Sequence, residues 1–131
     1  MLFRSQVPRE ELTAPHLVAL AGLDDAAFRQ LFAGTAIKRT GRDRFIRNVL
    51  IAIGNASAGD PQLAAAARNR LDDGSPLVRA SAVWAFARLV PAAEVEAERR
   101  RRLPGETDPL VREEWQRCDP SAALKPGQRL A

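Results

Sequence analysis

The chain has 131 residues, which is the size of one domain, and its twenty basic residues against sixteen acidic ones give a net charge of +4. That balance allows an anionic partner without requiring one. A single cysteine, Cys118, and a single histidine, His16, exclude an internal disulfide and are too few for a zinc or iron–sulfur site. The sequence contains neither a signal peptide nor a run of about eighteen apolar residues, so we expect a cytoplasmic protein without membrane contact.

Apolar residues recur at helical spacing along the chain. The runs FIRNVLIAIGN and LVRASAVWAFARL each place an apolar stripe along one side of a helix. Several helix starts share one device, in which a capping Asp or Ser precedes a proline at the first helical position. These starts are Asp60-Pro61, Ser75-Pro76 and Asp108-Pro109. We predict helices over residues 14–21, 24–33, 42–56, 60–71, 75–89, 91–102 and 108–118, and no strands.

An internal repeat underlies these helices. The segments Phe45-Ile46-Arg47, Leu77-Val78-Arg79 and Leu110-Val111-Arg112 superimpose with offsets of 32 and then 33 residues. A period near thirty with two helices per unit is typical of HEAT or armadillo α-solenoids. We therefore predict an all-α, HEAT-like or armadillo-type solenoid of about six to seven helices. Its predicted parts are an N-terminal arm over residues 1–13, a helical repeat domain over 14–118 and a C-terminal tail over 119–131.

An acidic residue precedes the arginine of each repeat. Asp43 stands before Arg47, Asp73 before Arg79, and Asp108 before Arg112. In stacked repeats such acids and arginines can form a ladder of hydrogen-bonded pairs across neighbouring turns. We expect Arg47, Arg79 and Arg112, together with Asp73 and Asp108, to serve the repeat structure. Arg47 also belongs to a basic run.

That basic run, GTAIKRTGRDRFIRN, is the best candidate site. We expect a flexible loop flanked by Gly34 and Gly41, followed by a helix whose first amides add their positive dipole. A guanidinium group binds two phosphate oxygens at once, which suits a polyanion. The predicted contacts are Lys38, Arg39, Arg42 and Arg44. The alternative is a solvated helix start whose charges only keep the protein soluble.

Other residues favour structural roles. Residues 99–102 are four consecutive arginines that follow three glutamates, an order that suits the helix dipole. Arg68 and Arg70 could extend a positive surface. We expect Trp84 in the core and Trp115 partly exposed near the end of the repeats. Because no aromatic platform is interleaved with the basic run, contact with a nucleic-acid backbone is favoured over base stacking.

Three runs carry a resemblance to a known family. In chain order, GTAIKRTGRDRFIRNVLIAIGN, LDDGSPLVRASAVWAFARL and DPLVREEW resemble the C-terminal HEAT-like region of epoxyqueuosine reductase, which reduces epoxyqueuosine to queuosine at the wobble base of tRNA. The preceding PREEL and FRQLFAGT fit the stretch that follows the iron–sulfur domain in that family. The resemblance covers about residues 8–118. Its motif G-x-x-(I/L)-K-R-x-G-R-x-x-(F/L)-x-R-N is fairly specific, whereas the LVR repeats occur in many solenoids.

The resemblance implies a region that helps to hold tRNA against the catalytic half of the enzyme. In that family the cobalamin-binding domain and the cysteine motifs for two 4Fe–4S clusters lie upstream, and nothing in these residues matches them. We therefore carry over no catalytic, cofactor-binding or metal-binding residue. We expect a tRNA-binding module that is inactive alone and works with a catalytic subunit or an N-terminal half.

Two alternatives to a tRNA-binding module stay open. One is a protein-interaction scaffold that docks a partner around Leu110, Val111 and Trp115, since solenoids commonly bind proteins. The other is a subunit of a split enzyme. The sequence also leaves open whether the chain is a truncated gene product, a separate subunit or a fragment, and which tRNA would be bound.

Overall fold

A computed structural model describes residues 14–56 and 59–119. The described residues form eight α-helices and no strand, which confirms the all-α prediction. The helices are α1 (Ala14–Ala21), α2 (Asp25–Leu31), α3 (Ala36–Thr40), α4 (Arg42–Gly54), α5 (Pro61–Arg70), α6 (Pro76–Leu89), α7 (Ala92–Arg102) and α8 (Pro109–Arg117). A 3-10 turn, Leu103–Gly105, follows α7. Within these described ranges, no helix combines the length and apolar character needed to cross a membrane. The predicted arm and nearly all of the predicted tail lie outside the described residues.

The predicted helices are all found, with ends within two residues of the predicted ones. The proline-led starts explain this agreement. The Asp60 carboxylate accepts a hydrogen bond from the Gln62 amide at 2.9 Å, and the Asp108 carboxylate accepts one from the Leu110 amide at 2.9 Å. The Ser75 hydroxyl accepts from the Val78 amide at 3.4 Å. Each such cap stabilises its helix by about 1 kcal/mol and fixes where the helix begins.

One predicted element is wrong. The stretch before Gly41 was expected to be a flexible loop, but residues Ala36–Thr40 form the short helix α3. Gly34 and Gly41 flank it with φ of 76° and 89°, a backbone region that other L-residues rarely adopt. Between them Ile37 is buried, which ties α3 to the core. Tertiary packing therefore orders a segment that is too short to form a stable helix alone.

The helices α4, α6 and α8 pack side by side in that order and form one row. Behind this row, α1 packs on α4 and α5, and α5 packs on α6. The interior between them is apolar, and burying each large side chain there contributes about 1.5–3 kcal/mol. Its fully buried members include Ile46, Leu50, Val78, Phe86 and Val111. The row thus presents one exposed surface that is built from three different parts of the sequence.

The burial of the two tryptophans is the reverse of what the sequence predicted, because Trp115 is more buried than Trp84. Trp115 on α8 is only 2% exposed, so the expectation of a partly exposed ring is wrong. Trp84 on α6 is half-buried, and the guanidinium of Arg88 lies 4.9 Å from its ring centre. Gly54 at the end of α4 lies against this indole, because a Cβ atom on it would meet Trp84 Cζ3 at 2.5 Å. A glycine at this position lets α4 and α6 approach closely.

Candidate nucleic-acid interface

Short helix α3 presents the first two predicted contacts. Ile37 is buried and anchors the helix, while the next two side chains, Lys38 and Arg39, are exposed. A cluster of three tilted phenylalanine rings, Phe28, Phe32 and Phe45, supports this end of the molecule, with ring centres 4.9–5.5 Å apart. The two cations are thus carried on a packed support, which limits the entropy lost when they bind a ligand.

Arg42, the third predicted contact, is placed differently. Its side chain is only 11% exposed. Its guanidinium donates to both carboxylate oxygens of Asp73, at 2.7 and 2.9 Å, and its Nε donates to the Leu23 carbonyl at 2.9 Å. A further bond reaches Asp43 at 3.1 Å. Arg42 therefore joins the start of α4 to the α1–α2 connection and to the α5–α6 connection, and four of its five N–H donors are used in these bonds.

The bond between Arg42 and Asp73 favours the charged form of both side chains. The hydrogen bond to Asp73 raises the pKa of Arg42 above its ordinary value, against the opposing effect of burial. Burial alone would raise the pKa of Asp73, but hydrogen bonds from Arg42 and from the Ser75 amide outweigh it and hold that pKa below its ordinary value. Both groups therefore stay charged at neutral pH, and the pair is a permanent link between two connections.

Arg44, the fourth predicted contact, is exposed on α4. We call Lys38, Arg39 and Arg44 the free cations, because each is exposed and none of the three side chains forms an ion pair or hydrogen bond in the described ranges. Arg47 lies one turn further along α4, is also exposed, and donates to the Asn48 side chain at 3.2 Å. One end of α4 and the helix before it thus carry a cluster of uncompensated positive charge.

The repeat arginines bind partners that the sequence pattern did not indicate. Arg79 donates to both carboxylate oxygens of Glu106 at 3.0 Å and to the Asp73 carbonyl at 2.9 Å. Arg112 donates to the Glu106 carbonyl at 2.9 Å and to the Leu103 carbonyl at 3.1 Å. Neither of these two arginines binds the carboxylate that precedes it in the sequence. The Asp73 carboxylate binds Arg42, and the Asp108 carboxylate caps α8.

The observed ladder links an arginine to the acid of the following repeat. Its two steps are Arg42 with Asp73 and Arg79 with Glu106. Asp73 and Glu106 stand 33 residues apart, each three residues before a proline, and each accepts a backbone amide two residues later at 2.9 Å. Their shared distance to the proline is the signal that could have identified them. Arg47, which was expected in this ladder, lies on the exposed face of α4 instead.

The basic groups of α5 and α7 are compensated by acids. Along α7, Arg99 and Arg100 donate to Glu96 at 2.8 and 2.5 Å, and Arg101 and Arg102 donate to Glu98 at 2.9 and 2.7 Å. The bonds from Arg99 and then Arg100 lower the pKa of Glu96 to about 2. On α5, Arg68 pairs with Glu94 and Glu98, and Arg70 pairs with Asp73. These arginines add little free positive potential to the surface.

A cleft opens on the exposed surface of the row formed by α4, α6 and α8. It has a volume of about 480 Å³ and is lined by Arg47, Ile51 and Asn55 from α4, by Trp84 from α6, and by Leu110 and Glu114 from α8, among others. Burial raises the pKa of Glu114, and Arg117 opposes that effect. Because three helices contribute, no single stretch of sequence indicated this cleft.

Of the three side chains predicted to dock a protein partner, one is exposed and two are buried. Leu110 is 45% exposed, but Val111 and Trp115 belong to the buried core. Metal ligands are also lacking in the part that the structure describes, where no group of three His, Cys, Asp or Glu side chains could hold an ion. Cys118, the one cysteine of the sequence, is half-buried, and burial raises the pKa of its thiol. These residues do not fit an iron–sulfur cluster, which needs several thiolates.

Known proteins similar to this chain share one description. The epoxyqueuosine reductase of Xanthomonas campestris is 38% identical over 85 residues, which cover 65% of this chain and 23% of that enzyme. The epoxyqueuosine reductase of Escherichia coli K12 is 32% identical over 101 residues, which cover 73% of this chain and 26% of that enzyme. The one from Shigella dysenteriae is 33% identical over 101 residues, with the same shares.

The chain therefore spans about a quarter of the length of these curated relatives. No family model matches the chain, and no solved structure matches it. The resemblance to a part of epoxyqueuosine reductase, which the sequence motifs indicated, is confirmed by these relatives.

Proposed function

We propose that this chain is a tRNA-binding module of the epoxyqueuosine reductase type, and that it holds the phosphate backbone of tRNA during queuosine modification. The observation that carries the proposal is the cluster of free cations, Lys38, Arg39 and Arg44, on α3 and the start of α4. The relatives act in the modification that their name describes, and the region of similarity includes most of this chain. Its role would be to bind and position, because the chemistry needs groups that the described residues do not supply.

A HEAT-like stack suits this role. The row of α4, α6 and α8, with further helices packed behind it, supports that arrangement. So does the ladder in which Arg42 binds Asp73 and Arg79 binds Glu106. Stacked repeats give an extended and fairly rigid surface, which is what a long polyanion requires. The ladder would keep neighbouring repeats in register while the free cations face the ligand.

Electrostatics favours the free cations over the other basic groups. The Glu96 carboxylate already lies 2.5 Å from Nε of Arg100. A phosphate that approaches Arg100 must therefore compete with this carboxylate. A phosphate that approaches Lys38, Arg39 or Arg44 displaces water and counterions only. Each phosphate neutralised in this way releases condensed counterions, which makes binding favourable and dependent on salt. Arginine adds a planar fork that matches two phosphate oxygens.

Arg42 enters the proposal as a structural residue. The sequence pattern placed it among the phosphate contacts, and contact with RNA stays a prediction for this residue. The Arg42 side chain has low exposure and binds Asp73 and the Leu23 carbonyl. These contacts support a structural role, in which Arg42 fixes the start of α4. The free cations on either side of it would then be held in a constant arrangement. We therefore propose three phosphate contacts and one positioning residue.

The test is the affinity of the chain for bacterial tRNA at a fixed, moderate salt concentration. We expect the triple variant Lys38→Ala, Arg39→Ala, Arg44→Ala to bind about 10- to 100-fold more weakly, since ion pairs between exposed groups contribute about 0.5–1 kcal/mol each. Circular dichroism of the variant should be unchanged, because all three side chains are exposed.

A matched control removes the same charge from paired sites. The variant Arg29→Ala, Arg101→Ala, Arg117→Ala also loses three positive charges, and each of these arginines is exposed but bound to a carboxylate. We expect this control to bind tRNA within about threefold of the original chain. Equal losses in both variants would mean that only net charge matters, and an absence of tRNA binding in the original chain would overturn the proposal for the chain alone.

A further inference from the structure

We infer that the cleft between α4, α6 and α8 binds an unpaired RNA base, next to the backbone that the free cations hold. The inference rests on the proposed function and extends it from phosphate contact to base contact. We call this site the Trp84 cleft, and its defining residues are Arg47, Asn55, Trp84, Leu110 and Glu114. Its volume, about 480 Å³, lies within the range of known small-molecule sites.

The cleft is continuous with the free cations along α4. Arg44 and Arg47 are three residues apart, so their side chains lie on the same face of the helix, one turn from each other. Arg47 also forms part of the wall of the cleft. An RNA strand whose phosphate lies against Arg44 therefore has its next groups close to Arg47 and the wall of the cleft.

Trp84 supplies an aromatic surface that is already held in place. Arg88 lies over its ring at 4.9 Å and donates through Nε to the Gly54 carbonyl at 2.8 Å. Gly54 itself lies against the Cζ3 and Cε3 atoms of the indole. A fixed and half-buried indole loses little freedom when a base packs on it, and contact between a base and an aromatic ring contributes about 1–3 kcal/mol.

The polar groups of the cleft suit the edge of a base. Asn55 offers both a donor and an acceptor, and Arg47 offers donors. Glu114 lines the opposite wall from α8, where its Oε2 accepts a hydrogen bond from Arg117 at 3.0 Å and its Oε1 can accept one from the amino group of cytosine, adenine or guanine. Leu110, which is 45% exposed, adds apolar surface beside them. An apolar wall with a few directed polar groups is the usual composition of a site for a flat, polar ring.

The test uses two strands of equal length and charge. One is oligocytidylate, and the other is the corresponding abasic ribose-phosphate strand. The readout is tryptophan fluorescence, which a stacked base quenches. Trp115 is 2% exposed, so quenching reports on Trp84, and Trp115→Phe checks that assignment. We expect oligocytidylate to quench the fluorescence and to bind about tenfold more tightly than the abasic strand.

Two variants separate base contact from a general effect on folding. Trp84→Leu should remove the preference for oligocytidylate while leaving affinity for the abasic strand unchanged. Glu114→Gln keeps the shape of the side chain and removes one negative charge. Electrostatics alone would make this variant bind both strands more tightly, whereas loss of a hydrogen bond acceptor in the cleft should weaken only the binding of oligocytidylate.

The outcomes distinguish the two proposals. Equal affinity for the two strands, with unchanged fluorescence at saturation, would overturn the Trp84 cleft as a base site. In that case, salt-dependent binding of the abasic strand would still support the free cations as phosphate contacts. Failure of both strands to bind would overturn both proposals for this chain.

Discussion

Two arginine-rich regions of this molecule look alike in sequence and differ in structure. The first is α3 with the start of α4, where Lys38, Arg39 and Arg44 are the free cations. The second is the end of α7, where residues 99–102 each donate to a glutamate one turn earlier. The number of positive charges is therefore a poor guide to a polyanion site. What matters is whether an acid lies within reach of each charge.

The local sequence explains much of this difference. Glutamates three or four residues before an arginine lie on the same helix face, and α7 repeats that spacing for all four arginines. The start of α4 contains one acid, Asp43, and the guanidinium of Arg42 binds it. Arg44 and the cations of α3 are consequently left without a partner among the described residues.

Among the variants considered, removing the Asp73 carboxylate that binds Arg42 should have the largest effect on stability. In Asp73→Asn the guanidinium of Arg42 stays buried but loses its carboxylate, which should lower the free energy of unfolding by about 3 kcal/mol. The variant gains a positive charge, yet we expect weaker tRNA binding because the start of α4 is no longer fixed. Urea unfolding and tRNA titration measure the two effects.

A neighbouring acid provides the control for that variant. Asp72→Asn changes the net charge by the same amount, but the Asp72 side chain is 75% exposed and pairs with Arg102 at the surface. We expect a loss below about 1 kcal/mol and no weakening of tRNA binding. If Asp73→Asn instead kept its stability and bound tRNA more tightly, Arg42 would be a phosphate contact that Asp73 normally competes for.

Acid should weaken the ladder between repeats. The pKa values of Asp73 and Glu106 are held below their ordinary values, against burial, by bonds from Arg42 and Arg79. Since a lowered pKa in the folded state means that the unfolded state takes up protons first, this stability is complete above about pH 5. It is lost as the pH falls through the lowered pKa values, below about pH 4.

Thermal unfolding followed between pH 7 and pH 3 measures this loss. The original chain should become less stable as the pH falls below about 4, and Asp73→Asn should show a shallower dependence because one of the titrating groups is absent. Glu96 and Glu98 of α7, whose pKa values are also lowered, titrate in both proteins, so the difference between the two profiles reports on Asp73. Identical pH profiles for the two proteins would contradict the importance of the Arg42 and Asp73 pair.

The smallest expected effect comes from releasing the arginines of α7. In Glu96→Gln, Arg99 and Arg100 lose their shared carboxylate. We expect tRNA binding to rise by about two- to threefold, because Arg100, whose side chain is 76% exposed, becomes available at the surface. The double variant Glu96→Gln, Arg100→Ala should return close to the original affinity. No change in either variant would show that α7 lies away from the bound RNA.

Local signals made most of the fold predictable. Caps such as Asp60 and Asp108 and the apolar period of α4 and α6 act within a few residues, and the helices they indicate are present. The helix α3 was missed because its order depends on Ile37 reaching the core, which is a tertiary contact. Five residues without a cap provide too little local signal for a helix.

The candidate site was less predictable, because its geometry joins distant residues. Arg42 and Asp73 stand 31 residues apart, so no local pattern could separate Arg42 from the three free cations. The Trp84 cleft draws its walls from α4, α6 and α8, and no sequence pattern placed an aromatic platform beside the basic run. Charges and periods can be counted along a chain, but compensation of one charge by another depends on the fold.

The most direct measurement is the salt dependence of tRNA affinity for three proteins: the original chain, the variant that lacks Lys38, Arg39 and Arg44, and the control that lacks Arg29, Arg101 and Arg117. Plotted as the logarithm of the association constant against the logarithm of salt concentration, the slope should become shallower by about 2 to 3 in the first variant. The control should keep the original slope. Equal slopes in all three proteins would contradict the claim that the free cations hold the RNA backbone.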